Sequence, residues 1–321
     1  MAKRSKPRAG SLQYWPRKRS DKFLPRVNWE PVQLKNPDAK LLGFIAYKVG
    51  MDSALIKDST AHSMTKDKKI PVTVSILETP PIKIFSVRFY KNNKVVCEII
   101  SENVDKELKK LVKLPRAKTG KKIEDIKDYD DLRLIVYSVV GKTGIKKTPD
   151  ITEIGLAGKV EEKLAFAKEH LGKEISASEV LKSGQLIDVR GLSKGKGHTG
   201  AVQRFGIGYK NHKSEKGRKR PGSLAPWHPH YVTFRTPMSG GQGMFTRIQY
   251  NSKVLSMGKI QEKNINPSGG FRHFGAINSD YLIIEGSIPG PQKREMLLTF
   301  PLRKTKSAAK KNYEFIKIIE N

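Results

Sequence analysis

PVTVSIL at residues 71–77 sets Val72, Val74 and Ile76 on one face and Thr73 and Ser75 on the other. A period of two is what a strand with one buried face requires. The same grammar surrounds it in LLGFIAYKVGM at 41–51, IKIFSVRFY at 82–90 and KVVCEII at 94–100. It returns in the last third as KVLSMGKI at 253–260, YLIIEGSIP at 281–289, REMLLTFPLR at 294–303 and FIKII at 315–319, separated by Asn, Gly and Pro clusters. QLIDVRG at 185–191 adds one more strand. The fold class is therefore β-rich. Residues 41–100 and 248–321, joined by the strand at 185–190, are expected to close one β-barrel or sandwich.

Between these groups, residues 101–184 have a different character. They hold eighteen basic and fifteen acidic residues, so only +3 of the chain's +31 falls here. Val104, Leu108, Leu111 and Val112 recur at helical spacing before Pro115, and Val160, Leu164, Ala167 and Leu171 do so before Gly172, which suits a helix C-terminus. This reads as a nearly neutral α/β insertion that interrupts the strands.

The remaining +28 has to be compensated. Over the whole chain of 321 residues, 62 Lys and Arg stand against 31 Asp and Glu, giving a pI near 10.0. Charge on that scale makes a compact protein repel itself unless a polyanion neutralises it. Nucleic acid is the expected partner, because the chain lacks the amphipathic basic helix or lipidation motif of a membrane-surface protein. The longest strongly apolar run, Leu134 to Val140, is too short to span a bilayer. MAKRSKPRAG at the N-terminus lacks an apolar signal core, and the single cysteine, Cys97, permits neither a disulfide framework nor a thiolate zinc site. Cytosolic residence fits best.

Two segments carry the charge densely. Residues 1–26 have nine Lys or Arg and one Asp, interrupted by Pro7, Gly10, Pro16 and Pro25. With the linker to residue 40 they read as an extended basic arm whose Arg4, Arg8, Arg17, Lys18 and Arg19 would neutralise phosphates. Its Tyr14, Trp15 and Phe23 would pack on bases or on the body of the protein. Residues 191–247 form a basic, glycine-rich extension: from 190 to 220 there are ten Lys or Arg, one acid, Glu215, and seven glycines. Such a stretch is expected to make neither a helix nor a core, and to become ordered only on its partner. Glycine lets the backbone approach phosphates, and Lys194, Lys196, His198, Arg204, Lys210, Lys213, Arg218, Lys219, Arg220, Arg235 and Arg247 supply the contacts. Phe205, Tyr209 and Trp227 offer faces to unpaired bases, and His228 stacks or binds phosphate. A protein filament passing between RNA helices needs these parts, whereas a regular DNA groove does not.

Catalytic patterns fail their context. Gly195, Gly197 and Gly200 spell G-x-G-x-x-G after a strand, but no apolar helix follows and Glu215 sits among cations. Gly141, Lys142 and Thr143 look like the end of a phosphate loop whose first glycine would fall at Val136. No H-E-x-x-H or G-x-S-x-G occurs, so neither a metal nor a cofactor nor a small-molecule substrate is expected. The competing class is an RNA-modifying or processing enzyme with a basic arm, which would need a nucleotide or methyl-donor pocket within 101–184.

GLSKGKGHTGAVQRFGIG at 191–208, GSLAPWHPHYV at 222–232 and NINPSGGFRHFGAINSDYLIIEGSIPGPQKR at 264–294 resemble the universal third protein family of the large ribosomal subunit, in its archaeal and eukaryotic form. The resemblance reaches both ends of the chain. It implies a closed Greek-key β-barrel like that of translation factors, interrupted by an α/β insertion. It further implies binding to large-subunit ribosomal RNA early in assembly, beside neighbouring ribosomal proteins, with Trp227 near the tip of an extension that reaches toward the peptidyl transferase centre. Where eukaryotic members carry a modifiable histidine followed by Arg-Trp, this chain has Gln203, Arg204 and Phe205.

Overall fold

A computed structural model describes residues 14–114, 123–126 and 128–319. In chain order the strands are β1 (Gly43–Asp58), β2 (Lys69–Glu78), β3 (Ile82–Lys91), β4 (Lys94–Ile100), β5 (Asp131–Ser138), β6 (Ile151–Gly155) and β7 (Glu174–Ile175). They continue as β8 (Leu186–Leu192), β9 (Gly197–Thr199), β10 (Gly240–Gln242), β11 (Thr246–Gly258), β12 (Tyr281–Glu285), β13 (Glu295–Thr299) and β14 (Tyr313–Ile319). Short helices α1 (Trp29–Lys35), α2 (Val160–His170), α3 (Ala177–Val180), α4 (Ala201–Phe205) and α5 (Lys306–Lys310) lie among them. The fold is β-rich. The chain divides into two compact units, one made of residues up to 22 with 192–246, the other of 23–191 with 247–321.

The larger unit holds two sheets. Seven strands pair in the order β13-β8-β11-β12-β2-β1-β14, and β13 pairs additionally with β1, Gly43 opposite Thr299 through Tyr47 opposite Glu295. The alternation read in 71–77 has its expected consequence: Val74 and Ile76 are buried in an apolar cluster with Val49, Ile56, Leu255 and Ile283, and Val72 packs against it. Five strands make the second sheet, β4-β3-β5-β6 with β7 on β3. Here the sequence reading needs correction. It grouped 82–100 with the barrel strands, but β4 pairs with β3, and β3 pairs on its other side with β5. Period-two patterning reports which face is buried, not which neighbour a strand takes, and the Asn92-Asn93 turn, both residues at positive φ, closes a local hairpin instead. The helical spacing at 104–112 yields only a single 3-10 turn, Lys106–Lys110, because one turn suffices to bury Leu108 while Leu111 stays exposed. Pro115 lies outside the described residues. The second helical pattern becomes α2, which stops ahead of Gly172 at φ +77°.

A tryptophan and two glycines join these sheets. Trp29 of α1 is buried against Gly43 and Gly155, where an added Cβ would stand 2.9 Å from the ring at Gly43 and 2.7 Å from the Trp29 Cβ at Gly155. A polar latch supports the joint. The Tyr47 hydroxyl on β1 donates to Asp150 and shares a hydrogen bond with Ser138 Oγ, 2.6 Å away, and Lys146 pairs with both Asp150 and, at 3.8 Å, Glu295. Burial beside Asp150 holds the Tyr47 phenol well above its ordinary pKa, so it remains a donor.

Candidate nucleic-acid interface

The smaller unit, described from residue 14, is built with few apolar side chains. β9 and β10 pair antiparallel, Gly197 to Thr199 against Gln242 to Gly240, and the ladder extends through Lys196 N to Gln242 O at 2.9 Å and Met244 N to Ser193 O at 3.1 Å. At the joint Gly243 has φ +83°, and a Cβ there would lie 2.1 Å from the Lys194 carbonyl. Only glycine fits. The G-x-G-x-x-G stretch thus supplies one strand of a long-range antiparallel pair and not a phosphate loop.

The expectation that this stretch makes no helix also needs correction. Ala201–Phe205 forms one helical turn, capped when the Gly206 N–H, at φ +67°, donates to Val202 O at 2.8 Å. Its function is to aim Phe205 inward. Trp15 stacks on Phe205 with centroids 5.4 Å apart and meets Phe234 edge-on at 5.9 Å, while the Arg17 guanidinium lies 4.2 Å over the Phe205 ring. Arg17 and Arg204 form a reciprocal clamp: Arg17 Nη1 donates to the Arg204 carbonyl, and Arg204 Nη2 donates to the Arg17 carbonyl at 2.8 Å. Arg204 also donates to Gly241 O at 3.0 Å and Met238 O at 3.2 Å, and Gly240 makes room for it. An aromatic cluster and a charged fork thus hold a segment whose composition could not supply a conventional core.

From 207 to 238 the chain makes sparse internal bonds. Lys210 N donates to Arg218 O at 3.0 Å, and Thr236 Oγ1 donates to Leu224 O at 2.9 Å. At its centre Trp227 is 79% exposed, with His230 5.1 Å away at an edge-on angle, and the His228–Pro229 bond is cis. Tyr209, Tyr231 and Phe234 are likewise exposed. Trp227 is not buried against Tyr231 or Phe234.

The expected RNA-contacting residues therefore separate into two groups. Lys18, Arg19, Lys194, Lys196, His198, Lys213, Arg218, Lys219, Arg220, Trp227, His228 and Arg235 are exposed. Arg17, Arg204, Lys210 and Arg247 are half-buried, and of these Arg17 and Arg204 spend donors on the clamp. Arg4 and Arg8 lie outside the described residues. Sequence reasoning counted Arg204 as a phosphate contact from its charge; nothing in the sequence marked it as the partner of Arg17, 187 positions away. Gly240 and Gly243 were missed for the same reason.

Elsewhere the buried ionisable groups organise backbone. Glu78 accepts from Asn278 N, Ser279 N and Ser279 Oγ at 2.9 to 3.0 Å, and Lys48 Nζ donates to the Ile288 and Gly290 carbonyls at 2.8 and 3.2 Å. Burial raises the Glu78 carboxyl and lowers the Lys48 ammonium. Lys142, of the phosphate-loop look-alike, is tied to Glu174 at 2.6 Å. Among the described residues no three His, Cys, Asp or Glu side chains are grouped to hold a metal, and no helix is long and apolar enough to cross a membrane.

The chain is 37% identical over 317 residues to the large ribosomal subunit protein uL3 of Methanobrevibacter smithii, covering 94% of each chain. It is 36% identical to the proteins of the same name from Methanocaldococcus jannaschii, covering 93% of this chain and 92% of that one, and Pyrobaculum islandicum, covering 95% and 93%. The family model described as ribosomal protein L3 matches residues 1–320, so the chain belongs to the ribosomal protein L3 family.

Proposed function

We propose that this chain is a structural constituent of the large ribosomal subunit. It binds large-subunit ribosomal RNA, enters early in assembly beside neighbouring ribosomal proteins in the cytoplasm, and sends residues 191–247 toward the peptidyl transferase centre. It works without catalytic chemistry or a cofactor. One observation carries the reading: the smaller unit locks its own backbone with Trp15, Arg17, Phe205 and Arg204, yet leaves Trp227, Tyr209, Tyr231 and a row of cations in solvent. Exposed aromatics among cations match unpaired bases and phosphates. The strand ring β1-β2-β12-β11-β8-β13, with β13 back on β1, supports a closed Greek-key barrel as the body. Around it we assign an arm and linker at 1–40, an insertion that runs to 184 and starts at β3, a barrel strand at 185–190, the extension at 191–247, and barrel strands again at 248–321.

The test is reconstitution of large subunits with Trp227→Ala. Incorporation is expected to be normal while peptide-bond formation or its drug sensitivity changes. Unchanged function together with a destabilised free protein would contradict the placement.

A further inference from the structure

PLRKTKSAAKKN at 301–312 carries five cations and no acid. It lies in the larger unit, outside the arm and the extension to which RNA contact has been assigned. Pro301 is buried and Leu302 packs against the core, but beyond them α5 contains no buried residue. Even so, three side chains of β8 and β11 fix its course. Asp188, fully buried, accepts from Leu302 N at 3.0 Å and from Asn251 N at 2.9 Å. Asn251 Nδ2 donates to Arg303 O at 2.8 Å. Lys253, itself buried, sends its ammonium to the Lys311 carbonyl and, at 3.5 Å, the Ala308 carbonyl, neutralising the unpaired oxygens at the end of α5. Three polar anchors, two of them buried, for a stretch that buries nothing beyond Leu302 mark it as a displayed surface.

What it displays is narrow in chemistry. Arg303, Lys304, Lys306 and Lys310 are exposed, and between them lie Thr305, Ser307, Ala308 and Ala309, side chains small enough for close approach to the backbone. Lys311 differs, being paired with Glu285 at 3.6 Å. Residues 303–310 themselves contain no aromatic or large apolar side chain, and the Tyr250 ring of β11, 38% exposed, lies beneath the Arg303 guanidinium at 5.6 Å, so the segment offers cations to phosphate and lacks the apolar centre of a protein interface. We propose that residues 303–310 form a second, sequence-independent RNA site that grips the phosphate backbone, separate from the base-stacking extension. This rests on the reading of the chain as a ribosomal RNA binder.

The experiment measures the affinity of the full chain for a transcript of the source organism's large-subunit ribosomal RNA as potassium chloride is raised. Three variants are compared with the wild type: R303Q/K304Q/K306Q/K310Q, its charge-conserving counterpart R303K/K304R/K306R/K310R, and K194Q/K196Q/R218Q/K219Q/R220Q in the extension. Each lost phosphate contact lowers the slope of log affinity against log salt by about 0.7 to 0.9. The glutamine variant of the loop is expected to lose a slope of roughly 2 to 4 with its thermal midpoint unchanged, and the charge-conserving variant to keep the wild-type slope. A wild-type slope in the loop glutamine variant, with a reduced slope in the extension variant, overturns the second site and leaves the function standing; an acidic protein partner would then be the better reading. Absence of saturable, salt-sensitive binding by the wild type overturns the function and the site together.

Discussion

The two units of this molecule solve the same problem, holding a backbone in one course, with opposite materials. The larger one buries Trp29, Phe44, Tyr47 and Phe89 among β-branched and leucine side chains and seats charged groups such as Glu78 and Lys48 on backbone partners. The smaller one has Trp15, Phe205 and a fragment of Phe234, and closes itself with arginine forks on carbonyls and glycines at positive φ. A unit stabilised by apolar burial does not depend on cations to hold its course. A unit stabilised by cations over rings and on carbonyls keeps the rest of its charge and its aromatic faces available, which is what an RNA-binding element needs.

The largest expected effect lies at the joint of the larger unit. Trp29→Ala should cost about 3 to 5 kcal/mol, because the space between Gly43 and Gly155 cannot collapse onto an alanine. Equilibrium unfolding in urea reads this, and a loss under 1 kcal/mol would mean that the two sheets do not depend on it. Gly243→Ala should cost about 1 to 3 kcal/mol through backbone strain, but only locally. Amide exchange should accelerate at 193–199 and 240–245 while the strands of the larger unit keep their protection. A uniform acceleration would show that the two units unfold as one.

A smaller effect depends on pH. The Glu78 carboxyl lies above its ordinary value because burial outweighs its hydrogen bonds, so the folded protein holds this proton more tightly than the unfolded chain does. The contribution of Glu78 is therefore most favourable below the ordinary carboxylate range and declines as pH rises through the raised value. Glu78→Gln removes that decline. The unfolding free energy of wild type relative to the variant should fall as pH rises above 4.5, and a rise would reverse the assignment of burial as the dominant cause. The smallest effect is at Trp227: replacement by Ala should leave the stability of the free protein within about 0.5 kcal/mol, since the ring is 79% exposed.

How much of this was legible in the sequence follows from the range of each interaction. Val72, Val74 and Ile76 announced a strand and its buried face because patterning is local. The helix α2 was visible from its spacing and from Gly172. Partner choice was not visible: β3 and β4 carry the same alternation as β1 and β2 but pair elsewhere. In the smaller unit, composition indicated the ligand class and the exposed Trp227, yet it suggested a filament without a core. The contacts that give it one, Trp15 on Phe205 and Arg17 on Arg204, span about the whole distance from the arm to the extension. No window of sequence contains both partners. The loop at 303–310 was overlooked because its cations are unremarkable until Asp188, Asn251 and Lys253 are seen to hold it in place.

On this proposal RNA is met by the smaller unit and the basic loop, while residues 131–182 are left free. Amide exchange of the full chain with and without the large-subunit ribosomal RNA transcript tests this most directly. Added protection is expected across 194–238 and 303–310, with exchange in 131–182 unchanged; protection gained in 131–182 and absent from 194–238 would contradict it.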